Sequence, residues 1–379
     1  MDKFEKAQGV LQKINADGWL IICNEDSDIN SHFMLGVKAH ARHYVYVDIK
    51  GQHQILAVQM EAPMIEKALK SQGVKASVIA YNKMEDLTSN LTRILNKPRI
   101  ALNFGEDVLG SKGTTYADYI RAGDLFSVQK LAPNTEFFSA ASIIYELRAV
   151  KSPEELKDMR NVCKATIEIL ERIPDWVKVS MTEKEVQAKL EYEYMKLGHP
   201  SFETIVASGP NSADPHHNSS AKKIKSDALL IDTGMRIDQM CSDITWTFWM
   251  GKKPPNEFVQ VYRDIYASKQ EAKKYYTEGI PNYLPARKCR EYLTNKGYDV
   301  EKLFTHGLGH ALGFEVHDIG ERISSLVPEE HFLKENTIYS NEPGLYWEGK
   351  WGIRLEDDII IKKEKCEQVT NVPKDPITI

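Results

Sequence analysis

Residues 228–248, ALLIDTGMRIDQMCSDITWTF, form two β-like segments joined by a short turn. A tight hairpin centred on Ile237-Asp238 would place Asp232 directly opposite Asp243. Cross-strand neighbours that share a face have Cβ atoms about 4.5–5.5 Å apart. Two carboxylates at that spacing, beside an apolar strand, repel each other unless a proton or a cation lies between them. The alternative is that one of the two acids is a solvated strand residue.

A second pair of acids follows the same pattern. Residues 339–346 (YSNEPGLY) and 351–361 (WGIRLEDDIII) also indicate two strands, joined by a turn at 348–350. Pairing about Gly349 would place Glu342 opposite Glu356. Four carboxylates that converge in this way are costly, and two divalent metal ions about 3.5–4 Å apart would offset that cost. The two hairpins together therefore indicate a metal site.

Histidines are concentrated between these two hairpins. The stretch 305–318, THGLGHALGFEVHD, holds three of the eleven histidines, His306, His310 and His317, interleaved with glycines. Glycines allow the backbone to approach closely, which would bring imidazoles to a site. His306 and His310 are four residues apart, as in helical zinc proteases, but the H-E-x-x-H motif is absent, which excludes that class.

Two more histidines lie in the segment 208–218, SGPNSADPHHN, whose Gly-Pro and Asp-Pro pairs predict a loop. Adjacent histidines usually point apart, so at most one of them faces a given site. His216 is the candidate for the site, and a solvated position is the alternative for His217.

Composition limits the class of protein. The 379 residues are 42% hydrophobic and 27% charged, with a net charge of -5. This length fits two domains, and the charge gives no basic surface for nucleic acid. No apolar run is long enough for a membrane helix, and Met1 to Lys13 has no signal-peptide stretch. The five cysteines are scattered, without a C-x-x-C pair, so we expect a cytoplasmic protein without disulfides.

The chain changes character near residue 135. Before it, helices and short strands alternate, which predicts an α/β domain with a mixed sheet. After it, we place a connecting helix over 136–150, then helices opened by capping boxes at Ser152 and Thr182, then strands and helices in an α+β order. We therefore place the domains at 1–135 and 136–379. The segment Gly105 to Lys112 departs from a phosphate-binding loop, and 307–313 departs from the dinucleotide spacing, so we reject both.

At these motifs the sequence closely resembles the pita-bread metallopeptidases, the family of prolidase, aminopeptidase P and methionine aminopeptidase. The resemblance covers most of 150–379. It is carried by residues 148–155, 202–209, 231–234, 242–245, 306–318, 342–344 and 354–358. The resemblance implies a creatinase/prolidase-like α/β domain at the N-terminus, followed by a pita-bread (creatinase/aminopeptidase) catalytic domain of α+β class. Methionine aminopeptidase lacks the first domain and fits less well.

The resemblance also implies a two-metal site made of Asp232, Asp243, His310, Glu342 and Glu356. All five positions hold the expected residue type, whereas metal-free relatives lose these ligands. Oxygen-rich ligation with one imidazole suits Mn, Co or Zn. Two such ions would lower the pKa of a bridging water and present hydroxide to the peptide carbonyl.

Further roles follow from the same resemblance. Glu342 would also accept the proton of the water. His216 and His317 would be catalytic, acting on the leaving nitrogen and on the oxyanion. His306, Arg322 and Arg354 would bind substrate, with Arg322 near the arginine that holds the dipeptide carboxylate in prolidases. One departure is Trp246, where many relatives have arginine.

Four functions are compatible with these residues. The first is a prolidase that cleaves Xaa-Pro dipeptides, acting on small peptides as a homodimer, without nucleic acid or membrane partners. A proline nitrogen has no N–H, which gives a physical reason for a specialised enzyme. The runner-up is aminopeptidase P, which acts on longer Xaa-Pro peptides. The third is a non-catalytic binding module, and the fourth is a different hydrolase or lyase on the same scaffold.

Overall fold

The computed structural model describes residues 2–108 and 114–379. The rejected phosphate-loop pattern falls partly on 109–113, outside the described residues. The chain divides into two compact units, Met1–Leu147 and Arg148–Ile379. Among the described residues, none of the helices has the length and apolarity needed to cross a lipid bilayer.

The first unit is an α/β structure around one six-stranded sheet, with strand order β4-β3-β2-β1-β5-β6. Its β1–β2 and β2–β3 pairs are antiparallel and the other three are parallel, so the predicted mixed sheet is confirmed. The elements are α1 (Lys3–Lys13), β1 (Gly18–Cys23), α2 (Ile29–Leu35), β2 (His43–Asp48), β3 (His53–Val58), α3 (Ala62–Ser71), β4 (Ala76–Tyr81), α4 (Met84–Leu95), β5 (Arg99–Leu102), a 3-10 turn (Thr115–Ala117), α5 (Ala122–Leu131), β6 (Glu136–Ser139) and α6 (Ala141–Arg148).

The predicted connecting helix over 136–150 is wrong in its first part. Residues Glu136–Ser139 form β6, which pairs in parallel with β5. Glu136 also accepts a hydrogen bond of 2.9 Å from the Arg99 side chain. These contacts place the edge strand in the first unit, so the observed division at Leu147 falls later than the expected boundary at 135.

The second unit is α+β, with several small antiparallel sheets and long helices. Three sheets have the orders β11-β10-β7, β12-β9-β8 and β13-β16-β17, and β14 pairs with β15. The elements are α7 (Pro153–Leu170), α8 (Ile173–Trp176), α9 (Glu183–Tyr194), β7 (His199–Pro200), β8 (Ile205–Ser208), a 3-10 turn (Gly209–Ala213), β9 (Ala228–Thr233), β10 (Met235–Ile237), β11 (Met240–Cys241), β12 (Ile244–Trp249), α10 (Asn256–Lys273), α11 (Tyr283–Asn295), α12 (Val300–Leu303), β13 (Ile338–Asn341), β14 (Gly344–Trp347), β15 (Trp351–Arg354), β16 (Asp357–Ile360) and β17 (Glu367–Gln368).

Both predicted capping boxes are confirmed. The Ser152 side chain accepts a hydrogen bond from the backbone N–H of Glu155, and the backbone N–H of Ser152 donates to the Glu155 carboxylate; Thr182 and Glu185 form the same reciprocal pair. Each box satisfies backbone donors that the first turn of a helix leaves unpaired. The caps therefore fix the starts of α7 and α9.

The register of the first hairpin differs from the prediction. Asp232 pairs with Thr245, not with Asp243. The turn is the two-residue Asp238-Gln239, flanked by the Ile237–Met240 pair, and Asp238 has a positive φ of 54°. Moving the turn by one residue moves every cross-strand partner by two positions, so side chains keep their face but change their neighbours.

The second hairpin has the predicted register. Gly349, with a φ of 75°, lies in the turn between Trp347 and Trp351, which pair. The same register continues through β13 and β16, where Asn341 pairs with Asp357. Glu342 and Glu356 lie at the matching position of this register, between the two paired segments.

Arg148 connects the start of the second unit to the segment that follows His317. Its side chain is 0% exposed, and its Nη2 lies 2.5 Å from Oδ1 of Asp318 and 2.5 Å from Oε2 of Glu315. Lys151 Nζ lies 3.3 Å from the other oxygen of Asp318. Burial opposes the charge of this carboxylate, but Arg148 and Lys151 hold the pKa of Asp318 below its ordinary value.

Arg148→Met should lower the free energy of unfolding of the second unit by about 3–5 kcal/mol, because it takes the nearer of two cationic partners from the buried Asp318 carboxylate. Chemical denaturation followed by fluorescence measures this change. Arg160→Met is the matched control, since Arg160 forms an ion pair with Glu367 in which both side chains are more than a third exposed. That variant should lose about 0–1 kcal/mol. Equal losses in the two variants would contradict the buried role of Arg148.

Candidate metal centre

The five predicted metal ligands lie at five separate places along the second unit. Asp232 lies in β9, and Asp243 directly precedes β12. His310 lies between α12 and β13, Glu342 directly follows β13, and Glu356 directly precedes β16. Each side chain therefore sits at or just beyond the end of a strand, or in a connecting segment, where the backbone can aim it at a common point.

Three of these residues form a group with metal-ligand geometry. Asp243, His310 and Glu356 each offer one ligand atom, and these atoms lie within 4.8 Å of one another. His310 Nε2 is 3.3 Å from Oδ2 of Asp243 and 3.6 Å from Oε1 of Glu342. Glu342 therefore borders the same group.

Asp232 takes part in the cluster through its charge. Its Oδ2 accepts a hydrogen bond of 2.5 Å from Nη2 of Arg354, and its Oδ1 is buried with no hydrogen-bond partner among the residues that the structure describes. An ionised oxygen left buried and unpaired is costly. A ligand role would explain this unpaired oxygen.

The carboxylates raise one another's pKa. Burial is the largest cause for Asp243, whose pKa is raised well above its ordinary value, and the charge of Asp232 is the next. Burial and then Asp243 do the same for Glu356. Burial also raises the pKa of Glu342. The protein alone therefore resists full ionisation of this cluster.

The donor set fits divalent metal ions. Nδ1 of His310 lies 3.3 Å from the carbonyl oxygen of Ala311, so a proton on Nδ1 leaves Nε2 free to bind a metal. Carboxylate oxygens and one imidazole nitrogen suit first-row divalent ions. Positive charge at the centre would remove the repulsion that raises the carboxylate pKa values.

Close backbone approach positions His310. A Cβ at Gly309 would lie 2.2 Å from the carbonyl oxygen of Ser340, and the next residue's N–H donates a hydrogen bond of 3.1 Å to Oγ of Ser340. A side chain at 309 would push this segment away from β13. Gly309 therefore lets the backbone before His310 pack closely against β13, as the glycine pattern predicted.

His317 and His306 flank the cluster. The rings of His310 and His317 are 4.2 Å apart, edge to face. Partial burial, and then the charge of His310, lowers the pKa of His317 to about 4. Burial and then Arg354 lower the pKa of His306 to about 3. Both imidazoles are therefore neutral near pH 7.

The two adjacent histidines of the 208–218 loop have different surroundings. His217 Nε2 lies 2.9 Å from Oε2 of the buried Glu183. His216 is exposed, and its charge contributes to lowering the pKa of both His306 and His317. The loop therefore directs one histidine inward to a carboxylate and leaves the other near the site histidines.

The two predicted substrate arginines differ in burial. Arg354 is buried, and it donates to Oγ1 of Thr245, to the Tyr346 hydroxyl and to the carbonyl oxygen of Pro215, besides Asp232. These protein contacts make it a support for the site. Arg322 is exposed, and its charge contributes to lowering the pKa of His317.

Sequence reasoning missed several residues that hold the ligands in place. Thr245 donates a hydrogen bond of 2.6 Å to Oε2 of Glu356. Asp358 Oδ2 accepts hydrogen bonds from the backbone N–H of Asp243 and from Sγ of Cys163. The strand alternation of β12 is a signal that could have found Thr245, because it pairs with Asp232.

The same alternation accounts for Trp246. Side chains of successive strand residues point to opposite faces, so Trp246 points away from the face of Thr245. It is 3% exposed, lies in the hydrophobic core, and has its ring 6.0 Å from that of Phe248. Trp246 is therefore a core residue.

Comparison with known proteins gives consistent results. An uncharacterized peptidase of Methanocaldococcus jannaschii is 35% identical over 60% of this chain and 65% of that protein. The Xaa-Pro dipeptidase of Pyrococcus horikoshii is 29% identical over 99% of each chain. The crystal structure of an X-Pro aminopeptidase from Thermotoga maritima covers 100% of both chains with a TM-score of 0.86 and 26% identity.

These neighbours confirm the predicted pita-bread architecture, with an α/β domain before the catalytic one. The family model of metallopeptidase family M24 matches residues 157–363, which is more than half of the chain and includes every predicted metal ligand. On that match, the chain belongs to metallopeptidase family M24.

Proposed function

We propose that this protein is an Xaa-Pro dipeptidase that uses two divalent metal ions. The observation that carries the proposal is the group of Asp243, His310 and Glu356, in which both carboxylates are buried and the ligand atoms lie within 4.8 Å of one another. Support also comes from relatives named Xaa-Pro dipeptidase, which match 92% and 99% of the chain.

The residues that would hold the ions are those of the cluster. Asp232, Asp243, His310, Glu342 and Glu356 supply carboxylate oxygens and one imidazole nitrogen, which suits Mn, Co or Zn. Bound ions would polarise the scissile carbonyl. They would also lower the pKa of a water molecule, so that it can lose a proton and attack as a nucleophile near neutral pH.

The chain's own residues supply the remaining steps. Glu342 would accept the proton of the attacking water. His317, neutral near pH 7 because its pKa is lowered to about 4, can donate an N–H hydrogen bond to the developing oxyanion without adding a fixed charge. His216 would position the amide nitrogen, which in an Xaa-Pro bond is a ring nitrogen that needs a proton to leave.

Side chains around the acidic cluster would bind the substrate. His306 Nε2 lies 2.8 Å from the Tyr346 hydroxyl, a contact that would hold this imidazole in place for a substrate. Arg322 is exposed and would bind the free carboxylate of a dipeptide by a charge-assisted hydrogen bond. Arg354 would influence substrate binding indirectly, by holding Asp232 and Tyr346 in position.

A second candidate is aminopeptidase P activity on longer Xaa-Pro peptides. The observation that favours it is the full-length similarity to the Thermotoga maritima X-Pro aminopeptidase structure. The two activities differ in whether a free C-terminal carboxylate is required. We also propose a cytoplasmic homodimer, as the family resemblance implies, and light scattering measures the oligomeric state.

Met-Pro and Met-Pro-Ala, tested side by side after chelation and re-addition of Mn, Co or Zn, separate these functions. We expect metal-dependent cleavage of Met-Pro and little cleavage of the tripeptide. Cleavage mainly of Met-Pro-Ala would support aminopeptidase P. Metal binding without cleavage of either peptide would contradict both and favour a different substrate or a binding role on this scaffold.

Asp243→Asn should lower metal occupancy and kcat/KM. The expected loss in kcat/KM is a factor of roughly 10² to 10³, because Lewis-acid stabilisation is worth several kcal/mol. Metal titration by calorimetry and peptide hydrolysis measure the two effects. Asp238→Asn is the matched control in the exposed turn of the same hairpin, where asparagine accepts the positive φ. Unchanged turnover in the Asp243 variant would refute the proposed metal site.

Arg322→Ala should raise KM for Met-Pro by roughly tenfold or more, since a hydrogen bond between charged groups contributes about 1.5–3 kcal/mol. The effect on Met-Pro-Ala should be smaller, because its carboxylate lies one residue farther away. Arg287→Ala serves as the control, because this arginine is exposed on α11. Equal losses on both peptides would argue for aminopeptidase P.

A further inference from the structure

Glu183, the first residue of α9, is a fully buried carboxylate that holds one loop. Its Oε1 accepts hydrogen bonds from the backbone N–H and the hydroxyl of Ser208, both at 2.8 Å, and from Nδ2 of Asn211 at 2.9 Å. Its Oε2 accepts from the N–H and hydroxyl of Ser220 at 3.1 and 2.7 Å, and lies 2.9 Å from Nε2 of His217. One side chain thus joins both ends of the 208–220 loop.

This carboxylate is stabilised by hydrogen bonds. Within the described parts of the chain, its ion-pair partner is His217, and neither lysine nor arginine pairs with it. Burial opposes its charge, but the donors of Ser220, His217 and Ser208 together lower the pKa of Glu183 to about 2. A buried anion of this kind is tolerated only while its donors stay in place, so the loop and the carboxylate fix each other.

The loop is also fixed on the side that faces the candidate metal centre. Arg354 donates to the carbonyl oxygen of Pro215 at 3.3 Å and to Asp232 at 2.5 Å. The backbone N–H of Gly352, in β15, donates to Oγ of Ser212 at 2.9 Å. His216 directly follows Pro215, so its backbone is held between Arg354 on one side and the His217–Glu183 contact on the other.

We propose that Glu183 is a positioning residue that orients His216 by binding its neighbour His217 and both ends of the 208–220 loop. The inference rests on the proposed function, in which His216 positions the leaving nitrogen. Glu183 itself touches no predicted ligand or substrate group, and it acts through the loop.

Glu183→Gln tests this role. The glutamine side chain has the size of the glutamate, but an NH₂ group replaces one of the two carboxylate oxygens. The donors that face that oxygen, on one end of the loop, therefore lose their acceptor. Amide hydrogen exchange in 209–220 should accelerate by a factor of roughly 10 to 100, as expected for lost hydrogen bonds to a charged group. We expect kcat/KM for Met-Pro to fall roughly 10- to 100-fold, with metal content unchanged.

A double-mutant cycle separates positioning from general destabilisation. In a His216→Ala background, Glu183→Gln should lower kcat/KM by no more than about twofold further. Equal losses in both backgrounds, or unchanged exchange in the loop, would overturn the proposal. Glu185→Gln is the matched control, because Glu185 caps the same helix through Thr182 and is exposed. This control should leave loop exchange and kcat/KM at the wild-type level.

A milder variant covers the case in which Glu183→Gln does not fold. Ser220→Ala removes one hydroxyl donor to Oε2 and keeps the backbone contact. It should change loop exchange and kcat/KM in the same direction by a smaller factor, and no change in either would overturn the inference. If the wild-type protein cleaves neither peptide, the proposed function fails, and the exchange comparison still decides whether Glu183 holds the loop.

Discussion

Repulsion between buried carboxylates is the constraint on which the second unit depends. Asp243 and Glu356 are almost fully buried, and this burial, followed by the charges of the neighbouring acids, raises their pKa values well above the ordinary range. Such an arrangement is unfavourable for the protein alone and favourable with cations. The surrounding fold therefore holds together groups that would otherwise separate, and buried hydrogen bonds of this unit end on the candidate ligands or beside them.

These supports share a form, in which a buried side chain forms a hydrogen bond with each of three acids of the site region. Arg354 holds Asp232, Thr245 holds Glu356, and Asp358 fixes the backbone of Asp243. Farther out, Glu183 holds the loop of His216. Residues one step away from the chemistry thus limit how far each functional group can move, which is how outer contacts tune metal and catalytic sites.

The sequence predicted the parts of this arrangement that depend on local pattern. The second hairpin has the predicted register because Gly349 marks its turn and favours a positive φ. The first hairpin was predicted two positions out of register, because its turn begins at Asp238 and not at Ile237. The local sequence does not distinguish between these two turn positions. Glu183 could not be predicted from sequence, since it joins residues that are far along the chain and share no periodic signal. The burial of Arg354 could not be predicted from the sequence either, because an arginine in a strand is usually exposed.

The wide spacing of the candidate ligands along the chain also has a consequence for biosynthesis. Asp232 and Asp243 leave the ribosome more than a hundred residues before Glu356. At roughly 5–20 residues per second, the nascent first hairpin waits on the order of ten seconds for the strand that completes its acidic cluster. Binding of metal by the complete set of candidate ligands would therefore come late in synthesis, after Glu356 has left the ribosome.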